Sequence, residues 1–132
     1  MITELITIQT GSHSEFKDIT GKIEVFINKH NFKEGFCNIY IPHTTCGITI
    51  NENADPDVKK DMLMELGKIV PLRDSYSHME GNSAAHIKSS LMGFSLSVPV
   101  MDGRMMLGTW QGIYLCEFDG PRNRTVRVSI QV

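Results

Sequence analysis

The stretch FCNIYIPHTTCGITINENADP, residues 36–56, holds two short apolar segments, a polar break between them and a helix start after them. Residues 36–41 alternate apolar and polar side chains and are rich in β-formers, which predicts a strand. Residues 46–50 predict a second strand by the same pattern. Asp55 and Pro56 supply a capping oxygen and a preset φ, so a helix is expected to begin there.

The pattern continues on both sides of this stretch. Further strands are predicted at residues 2–9, 94–101, 104–108, 112–118 and 124–131. Apolar residues three and four apart predict helices from Phe16 to Ile27, from Val58 to Ile69 and from Ala84 to Met92. The pair Asp102-Gly103 is typical of a two-residue hairpin. About seven strands, mostly joined by hairpins, and about three helices predict an α+β fold with an antiparallel β-sandwich-like core. Residues 1–132 are expected to form one domain.

Composition narrows the function classes. The chain has a formal net charge of -2, so no broadly basic nucleic-acid-binding face is expected. It has no apolar run of the roughly 18 residues needed to span a membrane, and its N-terminus does not resemble a signal peptide. Cys37, Cys46 and Cys116 are an odd number without metal-binding spacing, which favours reduced thiols in a cytoplasmic protein.

Three histidines lie outside the predicted apolar faces. His43 follows a strand, His78 lies in a long polar loop, and His86 lies in the first turn of a helix. Neutral imidazole is a frequent metal ligand and a common acid or base, so these residues could hold a divalent metal, Zn or Mg, or transfer protons. Hydrogen-bonded loop histidines are the simpler alternative. Glu52 is a further candidate general base.

Other polar groups at the ends of elements suggest ligand binding. Asn82 opens the helix that carries His86, and helix N-termini attract anions. Trp110 offers a flat face and Gln111 a donor and an acceptor, although Trp110 could equally fill the core at a bulge. Arg122 and Arg124 suit phosphate, or simply form a solvated turn. Cys46 is a weak candidate nucleophile.

Several motifs in order resemble the YjbQ family, also described as secondary thiamine-phosphate synthase enzymes. The likeness covers almost the whole chain. It rests on His43-Thr44-Thr45, Asn51-Glu52-Asn53-Ala54-Asp55-Pro56, Asn82 with Ala85-His86, Leu107-Gly108-Thr109-Trp110-Gln111 and Gly120-Pro121-Arg122-Asn123-Arg124.

This resemblance implies a homotrimer with sites near subunit boundaries and a weak, secondary thiamine-phosphate synthase activity. That reaction joins a pyrimidine diphosphate to a thiazole phosphate and releases pyrophosphate. The implied polar positions are His43, Thr44, Glu52, Asn82, His86, Trp110, Gln111, Arg122 and Arg124. Family members often carry alanine where this chain has Cys46, which weakens the case for a catalytic thiol.

Two functions follow as hypotheses. The first is an enzyme acting on a small phosphorylated molecule. Its His43, His86 and Glu52 would be catalytic, its His43, His78 and His86 would hold a metal, and Thr44, Asn82, Trp110, Gln111, Arg122 and Arg124 would bind substrate. The second is a non-catalytic trimeric module that binds a small anion or a metal. Neither involves nucleic acid or a membrane.

Overall fold

Two antiparallel sheets face each other across a shared core. The computed structural model describes all residues, 1–132. Sheet A has five strands in the order β1-β8-β3-β5-β6, and sheet B has three in the order β2-β7-β4. The elements are β1 Ile2–Gln9, β2 Glu15–Asp18, α1 Thr20–Lys29, β3 Gly35–Tyr40, β4 Cys46–Glu52, α2 Pro56–Ile69, α3 Ser83–Met92, β5 Ser95–Met101, β6 Arg104–Met105, β7 Gln111–Glu117 and β8 Asn123–Gln131.

Strand alternation explains where the core lies. In β8, Val126, Val128 and Ile130 are buried and the intervening residues are more exposed, as period-2 alternation requires. They join a cluster of 18 buried residues drawn from both sheets and α1. A smaller cluster on the far face of sheet B contains Phe16 and Tyr114 and is covered by α2 and α3. The predicted α+β class, with a sandwich-like antiparallel core and three helices, is confirmed.

One predicted helix begins later than its pattern indicates. The sequence predicts helix from Phe16, but Phe16 lies in strand β2, where it pairs with Cys116. The strand ends where Asp18 accepts hydrogen bonds from the Thr20 amide at 2.9 Å and the Thr20 hydroxyl at 2.6 Å. A single apolar residue is compatible with the helical spacing of three to four residues and with the strand spacing of two. The pairing of β2 with β7 therefore determines that Phe16 lies in a strand.

The connections between strands also differ from the prediction. Only Asp102-Gly103, with φ of 52° and 77°, joins two consecutive strands in a hairpin. Every other connection passes from one sheet to the other, and four of them have no helix between the strands: β1 to β2, β3 to β4, β6 to β7 and β7 to β8. The first two and the last of these loops gather at one end of the sandwich. None of the three helices is long and apolar enough to cross a membrane.

Candidate functional site

Three of the four crossing loops without a helix, residues 10–14, 41–45 and 118–122, form the end of the sandwich where the predicted site begins. Backbone hydrogen bonds tie them together. The Thr10 amide donates to the Arg122 carbonyl at 3.0 Å, and the Phe118 amide donates to the Thr45 carbonyl at 3.3 Å. We call this end the loop end. Residues far apart in the sequence meet there because the strands cross between sheets.

A buried ion pair holds the loop end from inside. Glu117 is fully buried and Arg124 is 2% exposed. Arg124 donates from Nε to Glu117 Oε1 at 2.9 Å, and its Nη2 bonds the second oxygen of the same carboxylate. Nη2 also donates to Thr45 Oγ1 at 2.8 Å, and Thr10 donates its hydroxyl to Glu117 at 2.8 Å. The pair therefore links three loops through one network.

The pair keeps its charges. Burial opposes ionisation of Glu117, but the hydrogen bonds from Arg124 and Thr10 outweigh it and hold the pKa of Glu117 below its ordinary value of 4.5. The sequence predicts Arg124 as a phosphate ligand in an exposed turn; the structure instead places its guanidinium in the interior, with Nε and Nη2 bonded to Glu117 and Thr45. Arg124 positions the loops rather than presenting an open fork to solvent.

His43 lies in the β3–β4 loop and is held in place by a hydrogen bond from β8. Its Nε2 accepts a hydrogen bond from the Thr125 amide at 2.9 Å, so that nitrogen carries no proton. Partial burial and then the positive charge of Arg124 lower the pKa of His43 below its ordinary 6.5. The ring is neutral at pH 7, and its proton is on Nδ1. His43 therefore offers a hydrogen-bond donor, while its Nε2 is engaged with the backbone.

His43 lines a wide groove of about 620 Å³ together with Thr44, Tyr40, Phe94 and Arg127. Arg127 and Tyr40 are paired across β8 and β3, so both side chains point to the outer face of sheet A. Thr44 is exposed at the mouth of the groove. The groove thus opens onto the uncovered face of sheet A.

Asn82 and Arg122 meet on Asp119. Asn82 Nδ2 donates to Asp119 Oδ2 at 2.9 Å, and Arg122 Nη2 donates to the same oxygen at 3.0 Å. The start of α3 is thereby joined to the β7–β8 turn. The Asn82 side-chain oxygen is buried without a partner, and the Arg122 side chain is 48% exposed. Two of the predicted anion-binding residues therefore stand together.

His78 and His86 form a separate pair. Their rings meet edge to face at 5.5 Å between centroids, and both line a groove of about 380 Å³ with Tyr76 and Ser83. His43 does not line this groove. No group of three or more His, Cys, Asp or Glu residues stands close enough together to hold a metal ion. The three predicted metal ligands are therefore not gathered within one chain.

The remaining predicted residues lie at the opposite end of sheet B. Glu52 pairs directly with Gln111 across β4 and β7, next to Trp110, which is 62% exposed. Glu52 lies six residue steps along β4 from Cys46 at the loop end, or about 20 Å at ~3.4 Å per step. Gln111 accepts a hydrogen bond from the Gly108 amide at 2.8 Å. We call this the tryptophan end.

The thiols are unsuited to nucleophilic chemistry. Cys37, Cys46 and Cys116 are all buried. Burial raises the pKa of Cys46 to about 12 and that of Cys37 to about 11. A thiol protonated at neutral pH and closed to solvent is a poor nucleophile.

The family model described as "UPF0047 protein YjbQ-like" matches residues 4–132. The chain belongs to the YjbQ/UPF0047 family. Among YjbQ relatives, YugU of Bacillus subtilis strain 168 is 53% identical over 126 residues, covering 95% of this chain and 96% of that protein. MJ1081 of Methanocaldococcus jannaschii is 51% identical, covering 93% of this chain and 89% of that protein. The family predicted from the sequence motifs is confirmed.

Solved YjbQ structures share the fold. A crystal structure of an uncharacterised YjbQ/UPF0047 protein from Clostridium acetobutylicum superposes with a TM-score of 0.95 and 48% identity, covering 97% of this chain and 99% of that one. A protein of unknown function from Sulfolobus solfataricus P2 superposes with a TM-score of 0.93 and 32% identity, covering 98% and 95%. The two-sheet architecture is therefore common to distant YjbQ proteins.

The sequence motifs of this YjbQ chain do not mark Glu117 and Asp119 as residues of the site. Glu117 is the one charged residue in a strand segment that is otherwise apolar, residues 112–118, and a buried carboxylate requires a partner. The need for a partner, together with Arg124 at the start of the next strand, could have predicted the Glu117–Arg124 pair. Asp119 follows the same strand, and nothing in the sequence marks it as the residue on which Asn82 and Arg122 converge.

Proposed function

We propose that this protein binds and converts a small phosphorylated heterocycle at sites completed by neighbouring copies of the chain. The reaction we assign is a thiamine-phosphate synthase-like transfer, in which a thiazole phosphate displaces pyrophosphate from a pyrimidine diphosphate. The observation that carries this proposal is that Asn82 and Arg122 meet on Asp119 at the loop end, the end at which His43 also lies. These residues come from three separate loops, and their chemistry suits a phosphate group.

The loop end supplies the donors for the anionic part of the substrate. Asp119 fixes the Arg122 guanidinium through its carboxylate and its carbonyl, at 3.0 and 2.9 Å, and leaves the side chain half exposed. The α3 N-terminus, beginning at Ser83, adds unpaired backbone amides and the positive end of the helix dipole. His43 adds its Nδ1 proton. Such fixed donors would hold a diphosphate and stabilise the pyrophosphate that leaves.

The tryptophan end supplies a different kind of surface. Trp110 exposes a flat ring suited to stacking on a heterocycle, beside the amide of Gln111 and the carboxylate of Glu52. Because the two ends are about 20 Å apart in one chain, a single small substrate cannot touch both. In a homotrimer, the tryptophan end of one copy would meet the loop end of the next, which gives the partner a direct part in the site.

A divalent metal would bind in one of two ways. Zn would use the paired rings of His78 and His86, but a catalytic zinc site has three protein ligands, so those two residues alone do not make one. Mg would be held mainly by phosphate oxygens and carboxylates, as in other diphosphate sites. When bound, the metal would neutralise charge on the leaving pyrophosphate.

The test is product formation from the two thiamine precursors by protein purified without an affinity tag. Arg122→Gln should lower turnover by at least about tenfold, since a charge-assisted pair contributes roughly 1.5–3 kcal/mol. Arg104→Gln is the matched control, because Arg104 is exposed on β6 at the edge of sheet A. Turnover that is the same in Arg122→Gln and wild type would refute the assignment of the loop end.

A second arm addresses the metal. The same assay is run after dialysis against a chelator, then with Zn or Mg restored. Loss of turnover on chelation and recovery with one ion would identify the metal. Unchanged turnover would assign the chemistry to the side chains.

The alternative is a non-catalytic module that binds the same ligands. It is favoured by the weakness of the candidate nucleophiles. The thiols are buried, and His43 Nε2 already accepts from the Thr125 amide at 2.9 Å, with the Thr125 hydroxyl farther away at 3.3 Å. Calorimetry with each precursor separates the two functions. Saturable binding that Arg122→Gln weakens, with no product formed under any metal condition, would establish the module instead.

A further inference from the structure

A lysine in α3 is buried without a partner. Lys88 is 8% exposed, although lysine is among the residues least often buried. Lys88 takes part in none of the chain's salt bridges. It also makes no side-chain hydrogen bond. Its Nζ is not among the fully enclosed polar atoms that lack a partner, so the stem is buried while the ammonium keeps access to solvent without a counter-charge.

The position of Lys88 follows from the packing of α3. The buried face of this helix consists of Ala84, Ala85, Lys88 and Ser89. The Lys88 ammonium lies 5.8 Å from the centre of the Phe118 ring, which compensates part of its charge through the face of the ring. A cation–π contact is weaker than an ion pair, so the ammonium keeps capacity for an anion.

Lys88 and Phe118 line one cavity of about 260 Å³ between α2, α3 and the loop before β2. Its other walls are mainly the leucine side chains of α2 and the segment after it, Leu63, Leu66 and Leu72. His13 and Ser14 complete the lining from the loop. No carboxylate lines the cavity, so the chain itself provides no anion for Lys88.

Helix α2 forms one wall of this cavity. None of its fourteen residues is fully buried, although Met62, Leu63 and Leu66 pack against the smaller apolar cluster. Because Leu63 and Leu66 are only partly buried, the apolar wall of the cavity keeps surface that a small molecule can contact.

We propose that this cavity is a second ligand site, which binds a small carboxylate with an apolar body. The carboxylate would pair with the Lys88 ammonium, and the apolar part would lie against Leu63, Leu66 and Phe118. A monoanion fits better than a phosphate, because the cavity has one cation and no arginine fork to neutralise a second charge. The volume, below that of most drug-sized sites, limits the ligand to a single ring or a short chain.

The cavity takes His13, Ser14 and Phe118 from the loops of the loop end, but none of its lining residues has a role in the thiamine-phosphate synthase proposal. It also shares no lining residue with the His43 groove or with the His78–His86 groove. A protein inactive in the synthase assay could still bind the carboxylate, and a protein active in that assay could fail to bind it. The two proposals therefore fail separately.

The test uses sodium benzoate as the probe, the full chain, and amide NMR titration. Benzoate should bind saturably and shift the amides around Leu66 and Lys88. Lys88→Met keeps the length of the side chain and removes the charge, and should weaken binding by at least about tenfold. Lys60→Met is the matched control, since Lys60 is an exposed lysine of α2, and it should leave the affinity unchanged.

Benzyl alcohol, which has the ring but not the charge, should bind wild type at least about tenfold more weakly than benzoate does. If Lys88→Met fails to fold, Leu66→Trp offers a second route. It fills the cavity with an indole, keeps Lys88, and should abolish benzoate binding while the circular dichroism stays native. Equal benzoate affinity in wild type and Lys88→Met, shifts confined to another surface, or no saturable binding to wild type would each overturn the proposal.

Discussion

The Glu117–Arg124 pair shows how one buried contact organises distant loops. Each of its hydrogen bonds joins a different segment: Thr10 from the first crossing loop, Thr45 from the second, and Arg124 from the start of β8. Burying two charges costs free energy, and the cost is offset only when the remaining lone pairs and donors are satisfied. Here the loops that satisfy the pair are also the loops that carry His43 and Asp119.

We predict that either partner alone is costly to remove. Glu117→Leu leaves Arg124 charged, buried and unpaired, and should lower the free energy of unfolding by about 3–5 kcal/mol. Arg124→Met should lower it by a similar amount, because it leaves the Glu117 carboxylate buried and unpaired. The double variant Glu117→Leu/Arg124→Met removes both charges and should recover most of the loss. Urea unfolding of the four proteins measures the coupling, and additive effects would mean that the pair does not act as a unit.

The same pair predicts a pH dependence. The pKa of Glu117 is lower in the folded protein than its ordinary value of 4.5, so the folded state holds this proton less tightly. The contribution is fully present above 4.5 and is lost as the pH falls through the folded pKa. Unfolding free energies of wild type between about pH 7 and about pH 3 should therefore fall more steeply than those of the double variant. Parallel curves would contradict this origin of acid sensitivity.

Helix α3 owes its position to a glycine in the strand beneath it. A Cβ on Gly47 would lie 2.8 Å from the Gly93 carbonyl oxygen and 3.1 Å from that of Ser89. Both atoms belong to backbone at the C-terminal end of α3, which cannot move aside as a side chain can. The close approach of helix and strand sets the position of the whole helix, including Asn82 and His86 at its other end.

Gly47→Ala should therefore push α3 off β4 and destabilise the protein by about 1–3 kcal/mol, the range for overpacked sites. Gly67→Ala is the matched control, because an added Cβ there meets nothing within 4 Å. In the exposed helix α2 that change should stabilise by roughly 0.5–1 kcal/mol. Thermal unfolding of both variants should show a lower stability for Gly47→Ala and a higher stability for Gly67→Ala. An unchanged stability of Gly47→Ala would refute the close approach of α3 to β4.

The outer face of sheet A is the one large surface of the molecule without a covering layer. Leu5, Phe36, Tyr40 and Met101 are exposed on it, between small polar residues. Antiparallel sheets tolerate a solvated face, but large apolar side chains there are typical of a protein interface. The His43 groove opens onto the same face, so a second copy seated on it would close the groove.

We predict that this face is buried in the homotrimer proposed above. Phe36→Glu should then reduce the mass measured by light scattering from three times the 14.8 kDa chain to a single chain, with unchanged circular dichroism. Val25→Glu introduces the same charge on α1, at a residue that is 66% exposed, and should leave the mass unchanged. A wild-type protein of single-chain mass would contradict the trimer and, with it, the shared site.

Local sequence patterns were sufficient for most of the elements. Alternation in residues 124–131 and the Asp55-Pro56 helix start each depend on neighbours in the chain, and both appear in the structure as predicted. The family followed from ordered motifs for the same reason. The error at Phe16 arose because one apolar residue fits a helix and a strand equally well. The hairpin topology was mispredicted because a loop sequence does not state which sheet the next strand joins.

Side-chain chemistry and spacing nominated His43, Asn82 and Arg122, but they could not bring these residues together. Asn82 and Arg122 meet on Asp119, and His43 lies at the same end, because the strands alternate between two sheets and three of their loops close over that end. Only the tertiary structure shows that Arg124 supports the loops and that Lys88 lies unpaired beside a cavity. The physical reason is that packing between residues distant in the sequence determines which charged side chains are removed from solvent.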